Sequence, residues 1–295
     1  MPEINLRGII PAIVTPMTAS GALDLPALKR YVSWLVEQGP VALAVNVDTG
    51  EGPHLTTEER CRTLETVAEA AAGRCGVVAG VGGPSTAQGV ANARDAQSAG
   101  ANALLVFPIA AFLGQPLNPE LPYRYHAAIA EAVDLPLILF QLQPALGGVL
   151  YASEVLHRLI AIPTVTAIKE ASFDALRFLR VKADLASASR RITLLTGNDN
   201  FIYESFVLGA EARCWASAPW APASKWTCWR RCAAATTRRP GRWASGCKPW
   251  PTWCSRRPSP TTGRAPRKRW SCWVCWKRRP CGRRCCRSAR RSATR

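Results

Sequence analysis

From Ala212 to Arg295 the chain contains no aspartate and no glutamate. The same segment lacks leucine, isoleucine, phenylalanine, tyrosine, methionine, asparagine, glutamine and histidine, and Val274 is its one valine. Acids make up about an eighth of ordinary residues, so 84 positions without one are not what selection for a fold produces. The segment holds instead 23 of the 38 Lys and Arg residues, 10 of the 12 cysteines and 10 of the 11 tryptophans. Residues 1–211 carry 15 basic and 20 acidic residues, a net of −5, so the formal +18 of the whole chain belongs to the tail. The chain also lacks any apolar stretch approaching about 18 residues, which speaks against a membrane span. Met1 to Leu6 is polar and does not read as a signal peptide. Residues 1–211 have only Cys61 and Cys75, as suits a reducing, cytoplasmic setting.

What is present before residue 212 is a repeating pattern. Gly8 to Pro16 reads as a strand closed by proline. Leu23 to Glu37 carries a helical stripe of Leu25, Leu28, Val32, Leu35 and Val36, ended by Gly39. Val41 to Val47 is a second strand that runs into the turn Asp48-Thr49-Gly50-Glu51, and Thr56 or Thr57 caps the next helix with Glu59 in its first turn. Strands follow at Gly76–Val81, Ala103–Phe107, Pro136–Gln141, Thr164–Ile168 and Ile192–Thr196. Helices lie between and after them at Ser85–Ala99, Glu120–Val133, Ala152–Ile160, Asp174–Ala186 and Asn200–Leu208. Apolar strands alternating with amphipathic helices imply a parallel sheet covered by helices, and seven units at this spacing favour a (β/α)8 barrel over an open doubly wound sheet. Gly80-Val81-Gly82-Gly83 lacks the full dinucleotide fingerprint and an acid at the right distance.

In a barrel the chemistry gathers at the C-terminal ends of the strands. Those ends bring together Thr15, Asp48, Thr49, Glu51, Phe107, Phe140, Lys169 and the turn Gly197-Asn198-Asp199. Lys169 ends the run T-V-T-A-I-K from Thr164. A lysine on the inward face of a buried strand is desolvated, and a desolvated amine attacks carbonyls to form a Schiff base. A lysine at a strand end can equally snorkel to water or pair with Glu170. The residues alone leave both readings open.

D-T-G-E followed by L-T-T-E-E over residues 48–59 resembles the G-T-T-G-E and L-T-x-E-E signature of the dihydrodipicolinate synthase and N-acetylneuraminate lyase family. I-K-E-A-S at 168–172 resembles that family's Schiff-base strand, and G-N-D at 197–199 its G-x-D turn. The resemblance runs from residue 4 to about residue 211. It implies a Schiff-base (β/α)8 enzyme acting on pyruvate or another 2-oxo acid, with Lys169 as the nucleophile and no cofactor or metal. It further implies that Thr49 and Gly50 receive the substrate carboxylate, and that the enzyme is a homo-oligomer, a dimer of dimers. Glu51 either caps the next helix or touches substrate, and Asp199 either holds a substrate hydroxyl or caps the helix after it.

The departures from that pattern bear on the reaction. Phe140 stands where the family places its proton-shuttle tyrosine, and a phenyl ring has no proton to give. Asp48 replaces the first threonine of the turn, where it can act as an acid or base or repel a substrate carboxylate. The tyrosine lent across the subunit interface should fall near Ile109 to Ala111, and none is there. The synthase's carboxylate-binding arginine is missing after Pro144. A divergent lyase, aldolase or dehydratase therefore fits better than the lysine-pathway synthase, with Tyr151 and Tyr203 as possible replacement relays. The alternatives are the synthase proper, or a non-catalytic relative whose cationic tail binds nucleic acid without sequence choice.

The tail reads as a shifted frame. A-R-C-W-A-S-A-P from Ala212 can be encoded so that one added base gives G-A-L-L-G-F-G-A, a good eighth strand. The same offset over Ser259 to Arg278 permits an amphipathic helix. On this reading residues 1–211 form the barrel domain, while 212–295 are an aberrant remnant in which the eighth strand, with Arg213 in its path, and the C-terminal helices are disrupted. The chain as it stands is then expected to be poorly soluble and inactive. Cys272, Cys275, Cys281 and Cys285 have no histidine among them and are crowded by other cysteines, which argues against a zinc site.

Overall fold

A computed structural model describes residues 4–113 and 116–215. Fifteen helices and strands alternate through them: β1 (Ile9–Pro11), α1 (Leu25–Glu37), β2 (Ala42–Val45), α2 (Thr57–Ala71), β3 (Gly76–Val81), α3 (Thr86–Ser98), β4 (Ala103–Val106), α4 (Glu120–Ala132), β5 (Leu137–Leu142), α5 (Ser153–Ile160), β6 (Val165–Ala171), α6 (Ala175–Ala186), β7 (Thr193–Thr196), α7 (Ile202–Val207) and β8 (Ala212–Trp215). The helix starts follow the side chains that cap them. Asp24 accepts from Ala27 N–H at 2.9 Å, Thr56 and Glu59 form a reciprocal capping box, Ser85 caps α3, and Asp174 accepts from Leu176 and Arg177 N–H.

All eight strands are parallel and neighbour one another in the order β1-β8-β7-β6-β5-β4-β3-β2. The two ends of that order meet through a bridge between Ala12 and Ala44, with Val41 N–H donating to Ile9 O and Ile13 N–H to Ala44 O, both at 3.0 Å. The ring therefore closes into the (β/α)8 barrel expected from the repeat. Strand alternation sorts the side chains into two cores. Ile10, Ala44, Val78, Leu105, Ile138 and Leu195 belong to the cluster that fills the barrel. Leu43, Val45, Leu104, Leu139, Ile168 and Leu194 face the helices, where Leu28, Val32, Leu64, Val67, Ile129, Leu156 and Phe178 meet them. Each fully buried aliphatic or aromatic side chain there contributes about 1.5–3 kcal/mol, so the seven described helices are held mainly by this outer layer.

The eighth strand corrects the expectation of disruption. β8 pairs with β1 through Ile9–Arg213 and Ile10–Cys214 and with β7 through Leu195–Ala212 and Thr196–Arg213. The pleat explains why. Ala212 and Cys214 point into the barrel and pack with its apolar cluster, whereas Arg213 takes the outward phase. Arg213 is only 4 % exposed and its guanidinium donates to Asp199 Oδ1 at 3.2 Å. Burial pushes that guanidinium down to about 9, against the attraction of Asp199. The strand thus forms with a charged side chain held at an energetic disadvantage, rather than failing to form. Residues 216–295 lie outside the described residues, and with them the C-terminal helix reading over 259–278 and the cysteines at 272, 275, 281 and 285.

Two boundaries matter for the site. β6 continues past Ile168 to Ala171, which makes Lys169 an interior residue of the strand rather than the residue after it. α7 begins at Ile202 with Phe201 at its cap, so Asp199 does not cap it.

Candidate active site

Lys169 pairs in register with Phe140 on β5 and Leu195 on β7, and it shares their inward phase. Its Nζ stands 4.3 Å from the centroid of the Phe140 ring, whose face attracts the ammonium form. Phe107, at the end of β4, meets Phe140 edge-on with centroids 5.1 Å apart and fixes the plane of that ring. On the other side Gly197 makes room. A Cβ there would lie 3.0 Å from Lys169 Cε and 2.9 Å from Ala171 Cβ, so any larger residue would displace the lysine stem. The amine accordingly projects inside the ring between an aromatic wall and a glycine.

Glu170 takes the opposite phase and is fully buried. Its carboxylate accepts from Asn198 Nδ2 at 2.6 Å, Ser172 N–H at 2.9 Å and Gln141 Nε2 at 3.4 Å. Asn198 also donates to Glu170 O and accepts from Phe173 N–H through its Oδ1. A buried carboxylate must be satisfied in this way, and satisfying it locks the ends of β5, β6 and β7 together beside the lysine. The pairing of Lys169 with Glu170 that the sequence left open is excluded by the alternation of β6.

The 48–51 segment sits at the same mouth. Asp48–Gly50 forms a single tight turn, Glu51 follows at φ 59°, and Gly52 begins a second turn. Gly52 is obligatory, because a Cβ would fall 1.9 Å from Asn46 O. Thr15 donates its hydroxyl to Gly50 O at 2.7 Å and anchors the turn to the end of β1. Gly50 N–H donates to Val47 O and Glu51 N–H to Asp48 O, so both are used within the turn. Thr49, at its centre, presents the hydroxyl and one of the first amides of the turn, which have no partner in the turn itself. Asp48 lies exposed at the rim, yet crowding by the surrounding protein raises its carboxyl, with Lys169 and then His54 opposing the rise. The Cys214 thiol, buried inside the ring, is raised by burial and opposed by Lys169. Lysine, aspartate and thiol therefore share one electrostatic neighbourhood.

Other expected residues fall elsewhere. Tyr151 is fully buried among the residues that face the helices, edge-on to His126 at 6.3 Å, so it stands behind the sheet and cannot serve as a relay to Lys169. Tyr203 is half exposed on α7. Glu51 is exposed and does not cap α2, a role taken by Thr56 and Glu59. Asp199 is engaged by Arg213. Ile109 precedes a short turn at Ala110–Phe112, and Pro144–Leu146 forms another at the end of β5. Gln141 was not singled out by sequence reasoning, and Asn198 entered it only as the middle of the turn that begins at Gly197; Cys214 was also passed over. The first two could have been found by asking which donors a buried Glu170 requires.

The same fold and chain course recur in known proteins. A model of the Dihydrodipicolinate synthetase family matches residues 5–234. The 4-hydroxy-tetrahydrodipicolinate synthase of Gluconacetobacter diazotrophicus is 35% identical over 211 residues, which span 72% of this chain and 69% of that protein. The enzyme of the same name from Thiobacillus denitrificans is 37% identical over 212 residues, covering 71% and 69% of the two chains. Among solved structures, the dihydrodipicolinate synthase of Acinetobacter baumannii, crystallised with pyruvate, superposes with a TM-score of 0.70 at 30% identity over 78% of this chain and 77% of that one. The N-acetylneuraminate lyase of Mycoplasma synoviae shares the fold at a TM-score of 0.65 and 20% identity, over 79% and 78%. With a closed parallel barrel, an inward lysine on its sixth strand and a family match across most of its length, the chain belongs to the dihydrodipicolinate synthetase family.

Proposed function

We propose that the barrel is a Schiff-base lyase, aldolase or dehydratase acting on pyruvate or a related 2-oxo acid. The observation that carries the reading is the Lys169 amine inside the ring, at the mouth that also holds the 48–51 turn. Neutral Lys169 adds to the C2 carbonyl, the carbinolamine loses water, and the iminium withdraws electrons from the bond to C3. Thr49 receives the substrate carboxylate through its hydroxyl and amide. Incubation with pyruvate and borohydride, followed by mass spectrometry, tests this. A stable adduct on the peptide containing Lys169, absent from a folded Lys169→Ala variant, is expected; no adduct on the wild-type chain would overturn the reading.

Relatives at 35–37% identity named 4-hydroxy-tetrahydrodipicolinate synthase favour that reaction as a second reading. Phe140 at the position of the shuttle tyrosine, and A-L-G-G after Pro144 where the arginine would stand, favour a different partner for the oxo acid. A screen of 2-oxo acids against aldehydes and hydroxy acids separates the two. Assembly into a homo-oligomer and residence in the cytoplasm belong to the same proposal; among the described residues no helix is long and apolar enough to cross a membrane. Residues 212–295 are proposed to be the product of a shifted frame, supported by their composition and by the strand that one added base restores. Resequencing the gene tests it.

A further inference from the structure

We propose that the substrate carries an apolar, ring-bearing group beyond C3, so that the partner of the oxo acid is an aromatic or similarly apolar aldehyde. The inference rests on the Schiff-base reading above and concerns the wall beside Lys169. β4, β5 and β6 are consecutive neighbours in the ring. Their inward phase runs through Leu105 to Phe107, through Ile138 and Phe140 to Leu142, and through Ala167 and Ala171 to Phe173, with Lys169 between the two alanines. At the C-terminal ends of three adjoining strands, the inward positions around the amine are thus three phenylalanines and a leucine.

The face of the Phe140 ring lies 4.3 Å from Lys169 Nζ, and Phe107 meets that ring edge-on at 5.1 Å. Phe140 is buried, whereas Phe107, Leu142 and Phe173 pack against the same cluster and stay partly accessible. Apolar surface is left beside the amine for a ligand to cover. Phe173 is the most telling of the three. Its φ is 62°, a left-handed conformation that glycine takes freely and a bulky residue resists. Two asparagines hold it there: Asn198 Oδ1 accepts from Phe173 N–H at 2.7 Å, and Asn200 Nδ2 donates to Phe173 O at 2.9 Å. A strained position that is nonetheless filled by a phenyl group points to a use for the ring.

The polar groups of the mouth lie elsewhere. Thr49 and its turn follow β2, and β3 and β4 stand between β2 and β5. That side receives the carboxylate of the oxo acid, while Phe107, Phe140, Leu142 and Phe173 have no hydrogen-bonding atom in their side chains. The turn after β5 continues the same chemistry, with Leu146 60% exposed. A carboxylate or ammonium on the partner would give up water against this wall and find no counter-charge on it. A phenyl group instead meets aromatic edges and faces.

The bond-forming step uses only water besides the two reactants. The C2–C3 pair of the Lys169 enamine forms the bond from C3 to the aldehyde carbon, the nitrogen lone pair restores the iminium, and the aldehyde oxygen takes a proton from water. The hydroxide so formed adds to C2 and releases a 4-hydroxy-2-oxo acid and the free amine.

The test uses the full chain in the cleavage direction. Pyruvate release from 4-hydroxy-2-oxo-4-phenylbutanoate, 4-hydroxy-2-oxopentanoate and 4-hydroxy-2-oxoglutarate is followed by NMR, beside borohydride trapping of pyruvate. Wild type is expected to favour the phenyl substrate over each of the others by at least about tenfold in kcat/KM. In Phe173→Gly, which keeps the left-handed backbone and removes the ring, that preference falls several-fold, and in Phe173→Tyr it stays. A lower melting temperature in Phe173→Gly with the preference intact is what packing alone would give, and it overturns the assignment. A wild-type chain that traps pyruvate but cleaves the methyl or carboxylate substrate as well as the phenyl one, or cleaves none of them, overturns the inference and leaves the Schiff base standing. No trapping at all overturns both.

Discussion

Replacing Arg213 by methionine removes a charge from a site that holds it poorly while keeping most of the side-chain volume. The guanidinium falls from its ordinary value to about 9 because burial outweighs the attraction of Asp199. At about 1.4 kcal/mol per unit, such a depression corresponds to a penalty on the order of 4–5 kcal/mol on the folded state at pH 7. That figure already contains the Asp199 hydrogen bond, which opposes the fall. Asp199 itself is 49% exposed, so losing its partner costs little. The net expectation for Arg213→Met is a gain on the order of 2–4 kcal/mol, as when buried ionic groups are exchanged for apolar ones. The pH dependence has a definite sign. Because the folded value lies below the unfolded one, the unfolded chain holds the extra proton from about pH 9 up to the ordinary arginine value, and wild-type stability rises with pH across that window. The advantage of the variant is therefore full below pH 9 and shrinks above it, by about 1.4 kcal/mol for each further unit. Urea unfolding of both chains at pH 7 and pH 10, with equal slopes, measures it. A variant no more stable than wild type, or an advantage that does not change between the two pH values, would refute the account of β8.

His126 is fully buried, with its Nδ1 2.7 Å from Pro122 O, and burial lowers it to about 4. Unfolded chains protonate it near 6.5, so stability is lost as pH falls from 6.5 to 4, by about 3 kcal/mol in all; His126→Phe should flatten that part of the urea-midpoint profile, and an unchanged slope would count against it. Gly197→Ala sets a methyl 3.0 Å from Lys169 Cε and 2.9 Å from Ala171 Cβ, so borohydride trapping should slow by an order of magnitude or more and the melting temperature should fall as well. Trapping at the wild-type rate would show that the lysine stem has room to move.

Legibility differed from place to place for physical reasons. The barrel could be read because each buried parallel strand is an apolar run and each helix an amphipathic stripe, signals that do not depend on partners far away. Lys169 stood out because a lysine in such a run is an anomaly, although the residues alone left open whether it faces inward or snorkels to water. Its neighbours were harder. Tyr151 was a candidate relay until the phase of its segment placed it among the residues that face the helices, and Asp199 was divided between cap and substrate while its partner, Arg213, lay in a stretch read as damaged. The bond between Glu170 and Asn198 was not read because a buried carboxylate network depends on three strands converging, which no local pattern announces. The composition of the tail pointed to a broken strand, but composition does not say which residues of the strand meet the interior.

β8 also bears on how much a barrel asks of its last strand. The ladder on both sides is made by main-chain groups that every residue except proline possesses, and the described side chains that the strand turns inward are the small ones of Ala212 and Cys214. Closure is thus permissive at this position. A strand of unusual composition can complete the ring provided its inward residues are small, and the cost then falls on the outer layer, where a cation has to be accommodated.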